Sequence, residues 1–151
     1  MDQLEWCKKQ KSGIIIVEPN QNMAEDYFVK ADNSLSMAST SKTNDWKAVG
    51  LYYACYDSVY ALLQKAGVKC EIHECSIVLM SFFGFSDSEI NFVKDLKGNR
   101  KNAQYYVDRE FKVEDFNKVK DFILRCRELF HKADFKKIRD EIVKAVNPTK
   151  V

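Results

Sequence analysis

Residues 45–67, DWKAVGLYYACYDSVYALLQKAG, constrain the fold more than any other stretch. Trp46, Val49, Tyr53, Tyr56, Tyr60 and Leu63 recur every three or four positions, and Gly67 supplies a C-terminal stop. The spacing predicts a long amphipathic helix over 45–66, capped by Asn44 or Asp45. Its tyrosines, including Tyr52, sit beside Ala54, Ala61 and Leu63. At helical spacing they read as core or dimer-interface residues with satisfied hydroxyls in preference to stacking platforms for bases.

The remaining segments extend the helical pattern. Only 5 glycines and 2 prolines occur in 151 residues, too few for long loops and many tight turns. Asn22 is expected to cap a helix over 23–40, on which Met23, Tyr27, Ala31, Leu35 and Ala38 recur. Further helices are expected at 73–82, at 87–97 from a Ser86/Glu89 capping box, and over Asn102–Asp108 beyond a break at Gly98. Val113–Phe130 and a last short helix from Phe135, ending at Pro148, complete the set. Ile14–Val17 reads as an extended run before Pro19. The expected fold is therefore all-α, an up-and-down bundle of four to five main helices at 22–148 behind an N-terminal arm at 1–21.

Cys7, Cys55, Cys70, Cys75 and Cys126 are odd in number and follow no repeated spacing, and Asp2-Gln3-Leu4-Glu5 does not read as a signal peptide. They are expected to be reduced, in a cytoplasmic protein. The longest nearly apolar run, Ser76–Phe85, falls short of the roughly 20 residues of a membrane helix, so no membrane is expected. With 24 basic and 22 acidic residues, no global field advertises a nucleic-acid partner.

Three clusters carry possible chemistry. KCEIHEC places Cys70, His73 and Cys75 within six residues, but a closed zinc site needs four ligands, and no metal or other cofactor is expected. His73 and Glu74 are expected in the first turn of a helix. Arg125, Arg127 and His131 share one predicted helix, where an Arg/His pair suits phosphodiester cleavage and a solvated face is the simpler reading. The stretch GNRKNAQYYVDR (98–109) gathers Asn99, Arg100, Lys101 and Asn102 at an expected helix start, a setting suited to phosphate. Arg100 and Gln104 are one turn apart and point together, whereas Tyr105 is rotated by about 140° from Arg100 on an ideal helix.

The order YYACYDSVYALLQKAG (52–67), His73, RKNAQYY (100–106) and a last amphipathic helix resembles the HEPN superfamily of nucleotide-binding helical domains, in its small stand-alone archaeal and bacterial form. In that form an Arg-x-x-Ala-Asp-Tyr motif opens a helix; Arg100, Ala103 and Tyr105 match it, with Gln104 in place of the acidic residue. The resemblance spans about residues 22–135 and implies a homodimer whose two sites face one another. Members that cut RNA carry Arg, four to six residues, then His. Here Tyr105 or Tyr106 stands at the histidine position, and a tyrosine is a poor general base at neutral pH.

The resemblance thus implies a nucleotide- or RNA-binding domain with a degenerate site, bound by Arg100, Lys101, Asn102, Gln104, Tyr105 and Tyr106, and no efficient nuclease activity. Two alternatives stand beside it. One is a metal-independent ribonuclease of toxin–antitoxin type, for which Arg125 and His131 fit the literal spacing. The other is an interaction subunit paired with a nucleotidyltransferase-type protein.

Overall fold

The computed structural model describes residues 2–147. In chain order these form α1 (Gln3–Lys9), β1 (Ile15–Ile16), α2 (Gln21–Thr40), α3 (Asn44–Ala66), β2 (Val68–Lys69) and α4 (His73–Val78). A 3₁₀ turn over Leu79–Phe83 follows, then α5 (Asp87–Tyr105), α6 (Phe116–Lys132) and α7 (Phe135–Val146). The fold is an all-α bundle carrying one antiparallel ladder of two residues per strand, with Ile15 opposite Lys69 and Ile16 opposite Val68.

Helix α3 is the centre of the bundle because it is apolar nearly all round. Leu51, Tyr52, Leu62 and Leu63 are fully buried along it, and each such side chain contributes roughly 1.5–3 kcal/mol when withdrawn from water. Helices α2, α5 and α6 pack around it. The α2–α3 approach depends on Gly50, where a Cβ would lie 2.8 Å from both the Ala38 methyl and the Ser34 carbonyl oxygen. Helix α3 stops at Gly67, whose φ of 77° is left-handed and whose N–H returns to the Gln64 and Leu63 carbonyls.

Residues 2–20 are built into the bundle. Val17 N–H donates to the Gly67 carbonyl at 2.9 Å, and Asn20 N–H to that of Gln64 at 3.0 Å. Arg139 of α7 donates to the carbonyls of Val17, Ala66 and Gly67 at 2.8–2.9 Å. Cys7 of α1 is disulfide-bonded to Cys75 of α4. This corrects the expectation of reduced cysteines at Cys7 and Cys75, which rested on an odd count and irregular spacing; Cys55, Cys70 and Cys126 are free. A pairing between residues 68 apart depends on where α1 docks, and spacing carries no information about that. The expected cytoplasmic location loses the support of reduced cysteines. No helix among the described residues is long and apolar enough to cross a membrane.

Several boundaries also differ. Asn20, not Asn22, caps α2 through a bond from Met23 N–H, and Thr43 occupies the α3 N-cap. The Ser86/Glu89 capping box forms as read, with both reciprocal bonds present. Gly98 does not break the chain: α5 runs unbroken from Asp87 to Tyr105 and ends there, short of Asp108. A helical glycine costs only about 1 kcal/mol relative to alanine, and burial of Val93, Leu96 and Ala103 outweighs it. Pro148, expected to end the last helix, lies outside the described residues.

Candidate functional site

The continuity of α5 moves Arg100 from an expected helix start to a helix interior, so free N–H groups of a first turn do not surround it. Packing of α5 on α3 brings its side chain onto the tyrosine face instead. The guanidinium carbon lies 5.0 Å from the Tyr52 ring centroid, 5.7 Å from that of Tyr53 and 5.8 Å from that of Tyr105. Such distances are those of cation–π contacts. Arg100 is only 8% exposed.

Arg100 has no carboxylate partner among the described residues. Its one side-chain hydrogen bond runs from Nη1 to the neutral Gln104 Oε1 at 3.3 Å, and its buried Nε has no acceptor. Buried charges are ordinarily paired, because desolvating an ion without compensation costs several kcal/mol. The aromatic faces supply part of that compensation, and an anion would supply the rest.

His73 opens α4 beside this cluster. Its ring stacks on Tyr56 with centroids 4.1 Å apart, and its Nδ1 lies 2.8 Å from the Tyr52 hydroxyl. Tyr52 is fully buried with no other hydroxyl partner, so its proton has one acceptor, Nδ1. Burial raises the Tyr52 pKa, with the Tyr56 hydroxyl adding to the effect, which keeps Tyr52 a donor. The His73 proton therefore sits on Nε2. Burial first, then the charges of Arg100 and Lys97, lower the His73 pKa, so the ring is neutral at pH 7. The neighbouring hydroxyls are also satisfied, Tyr56 with Ser76 Oγ at 2.9 Å and Tyr60 with Cys70 N–H at 3.1 Å, as the core reading of the tyrosines expected.

No family model, curated protein or solved structure matches this chain.

The residues expected to bind ligand divide into two groups. Arg100, Gln104 and Tyr105 lie together; Tyr105, 63% exposed, forms the outer wall. The 140° rotation between Arg100 and Tyr105 is bridged by the length of the arginine, without a break in the helix. The other three lie elsewhere. Lys101 is exposed and lines a shallow cleft with Lys94, Lys97 and Glu74. Asn102 holds the chain after α5 by donating to the Glu110 carbonyl at 3.1 Å. Tyr106 stacks under Arg109, 3.6 Å from its guanidinium carbon.

The other candidate clusters are engaged in packing. Arg125 donates to Glu89 at 3.2 Å and Arg127 to Asp32 at 2.7 Å, which ties α6 to α5 and to α2. His131 is exposed and lies against the edge of Phe130. Arg125 and His131 are thus separated by about 9 Å along the helix and 120° around it. In KCEIHEC, Cys75 is held in the disulfide, Cys70 is buried, and His73 faces the tyrosines. Among the described residues, no group of three or more His, Cys, Asp or Glu side chains is placed to hold a metal ion.

Three participants had little or no signal of their own in the sequence. Tyr52 and Tyr53 were visible only as part of a core pattern. Asp57, 8% exposed within α3, has neither a hydrogen bond nor an ion pair among the described residues and borders a cleft of about 380 Å³.

Proposed function

We propose that the chain is a HEPN-like domain that binds a phosphate-bearing ligand, a nucleotide or RNA, at Arg100. The observation that carries this reading is a guanidinium 8% exposed with no carboxylate partner, whose one side-chain hydrogen bond is to the neutral Gln104. A charge left in that state is suited to an external anion, which supplies hydrogen-bond acceptors as well as counter-charge. His73 adds a second donor through Nε2–H, held in that tautomer by Tyr52, and Gln104 and Tyr105 flank the approach. The resemblance in sequence order, with Arg100, Ala103 and Tyr105 on the motif positions, supports the same ligand class.

Binding rather than cleavage is the reading these groups favour. General acid–base assistance contributes about 10²–10⁴-fold to such reactions and needs a group able to take a proton near pH 7. Tyr105 is no such group, and the Nε2 of His73 already carries its proton. A homodimer is part of the proposal: Tyr105 against Arg100, and Val107 two residues further on, are exposed apolar side chains that a second copy can cover.

The test is equilibrium binding of 5′-nucleotides and a short RNA to the wild type and to Arg100→Ala, alongside RNA incubated with protein in chelator. Affinity lost in Arg100→Ala with helicity retained, and RNA left intact by the wild type, is the expected result. Brisk metal-free cleavage would overturn the binding-only reading. Equal affinity for the two proteins would remove Arg100 from the site.

A further inference from the structure

Asp57 lies one turn beyond Tyr53 on α3, about 6 Å along the helix axis, and Tyr53 is one of the rings against the Arg100 guanidinium. Its carboxylate faces the cleft walled by Tyr27 and Lys30 of α2, Tyr53 and Tyr60 of α3, and His73 of α4. The residue is 8% exposed, yet its side chain takes no hydrogen bond and no ion pair among the described residues. Lys30 is near enough to favour its charge without pairing with it. Glu71, the other acidic residue of the cleft, is already paired with Lys69 at 3.4 Å. A carboxylate with unused lone pairs that open onto a cleft is an acceptor available to a ligand's donors.

The surroundings decide which donors. Lys30 offsets the charge of Asp57 and Lys69 that of Glu71, so the cleft carries little net charge and suits a ligand part bearing neutral donors. Adjacent hydroxyls meet that need, since one carboxylate accepts from both, as acidic residues do on ribose in dinucleotide-binding folds. A cleft of about 380 Å³ falls within the range of small-ligand sites. It also shares His73 and Tyr53 with the surroundings of Arg100.

We propose that the Asp57 cleft is a ribose subsite: the ligand is a ribonucleotide whose phosphate meets Arg100 and whose 2′- and 3′-hydroxyls donate to Asp57. The inference rests on the phosphate-binding reading above and adds sugar selectivity to it.

Affinities of the four ribonucleoside 5′-monophosphates and their 2′-deoxy counterparts, measured by calorimetry on the wild type, Asp57→Asn and Arg100→Ala, test both. For whichever base binds, the wild type should prefer the ribonucleotide by about tenfold, the worth of one hydrogen bond to a charged acceptor. Asp57→Asn should reduce that preference to about twofold or less, and should weaken the deoxynucleotide, which keeps its 3′-hydroxyl, by less than the ribonucleotide. Arg100→Ala should weaken both sugars alike.

Equal affinity of the wild type for the two sugars would overturn the ribose subsite, and would leave the phosphate reading standing if Arg100→Ala still abolished binding. A preference that survived Asp57→Asn would also overturn it. Should Asp57→Asn lose its helical circular dichroism, Asp57→Glu, which keeps the charge but moves it by one methylene, should show the reduced preference. Absence of binding by all eight nucleotides at millimolar concentration would defeat both readings.

Discussion

The Tyr52 hydroxyl donates to Nδ1 of His73 across 2.8 Å, joining α3 to the first turn of α4. Because Tyr52 is fully buried, this bond fixes the imidazole tautomer with its proton on Nε2. Tyr52→Phe removes the donor and leaves Nδ1 without its partner. The expected cost is about 1 kcal/mol, and nitrogen chemical shifts should change from a predominantly Nε2–H ring to a mixture. A single unchanged tautomer in the variant would show that another group orients His73.

The same ring provides a pH prediction. Its pKa in the folded chain is lowered by burial and by Arg100 and Lys97, so below its ordinary value near 6.5 the unfolded chain binds the proton more readily. The His73 contribution to stability is complete above that pH and is lost as pH falls. Proton NMR should find His73 titrating below 6.5. A midpoint at or above that value would contradict the burial described for His73.

Asp57 has the opposite sign. Burial pushes its pKa up from 3.8 to about 6, with Lys30 acting against the shift. The folded state therefore binds the proton more tightly; stability from this group is full below the unfolded pKa and declines as pH rises towards and through 6. Asp57→Asn should accordingly stabilise the protein by roughly 1–2 kcal/mol at pH 7 and by much less at pH 4. Thermal melts of both proteins at the two pH values provide the check; a stabilisation independent of pH would show that charge burial is not the cause.

The Cys7–Cys75 bond closes a separation of 68 residues and anchors α1 on α4. Its loss, in Cys7→Ser or under a thiol reductant, should lower stability by about 2–4 kcal/mol through the freed unfolded chain. Cys55, Cys70 and Cys126 are buried, and burial raises their pKa values, that of Cys70 to about 11. They should resist alkylation until the protein unfolds. Identical melting with and without reductant would count against the anchor.

Two glycines should respond in opposite directions to alanine. At Gly98 a Cβ would meet nothing within 4 Å, so Gly98→Ala should stabilise α5 by about 0.5–1 kcal/mol. At Gly67 the left-handed φ is unfavourable for alanine, and the new methyl would displace the Arg139 guanidinium and crowd the Val17 carbonyl. Gly67→Ala should cost more than 1 kcal/mol. Denaturant unfolding of the two variants tests the pair.

Periodicity in the sequence located α2, α3, α6 and α7, and a capping box the Ser86/Glu89 start of α5, because apolar spacing is a local property of consecutive residues; the caps of α2 and α3 and the start of α6 were each off by one to three residues. Periodicity also paired Arg100 with Gln104 and placed the α3 tyrosines in the core. Local signals misled at Gly98, where a weak glycine penalty was outweighed by side chains buried against α3, a contact between distant segments.

Sequence order alone selected Arg100 and pointed to a phosphate-directed role, but it set Arg100 at a helix start among Lys101 and Asn102. Only tertiary packing decided that its neighbours are Tyr52, Tyr53 and Tyr105, that His73 shares Tyr52 with it, that Asp57 is left unpaired beside them, and that Cys7 meets Cys75. The reason is physical: helical spacing fixes which side chains share a face, whereas burial, desolvation and charge pairing depend on which faces the folded chain brings together.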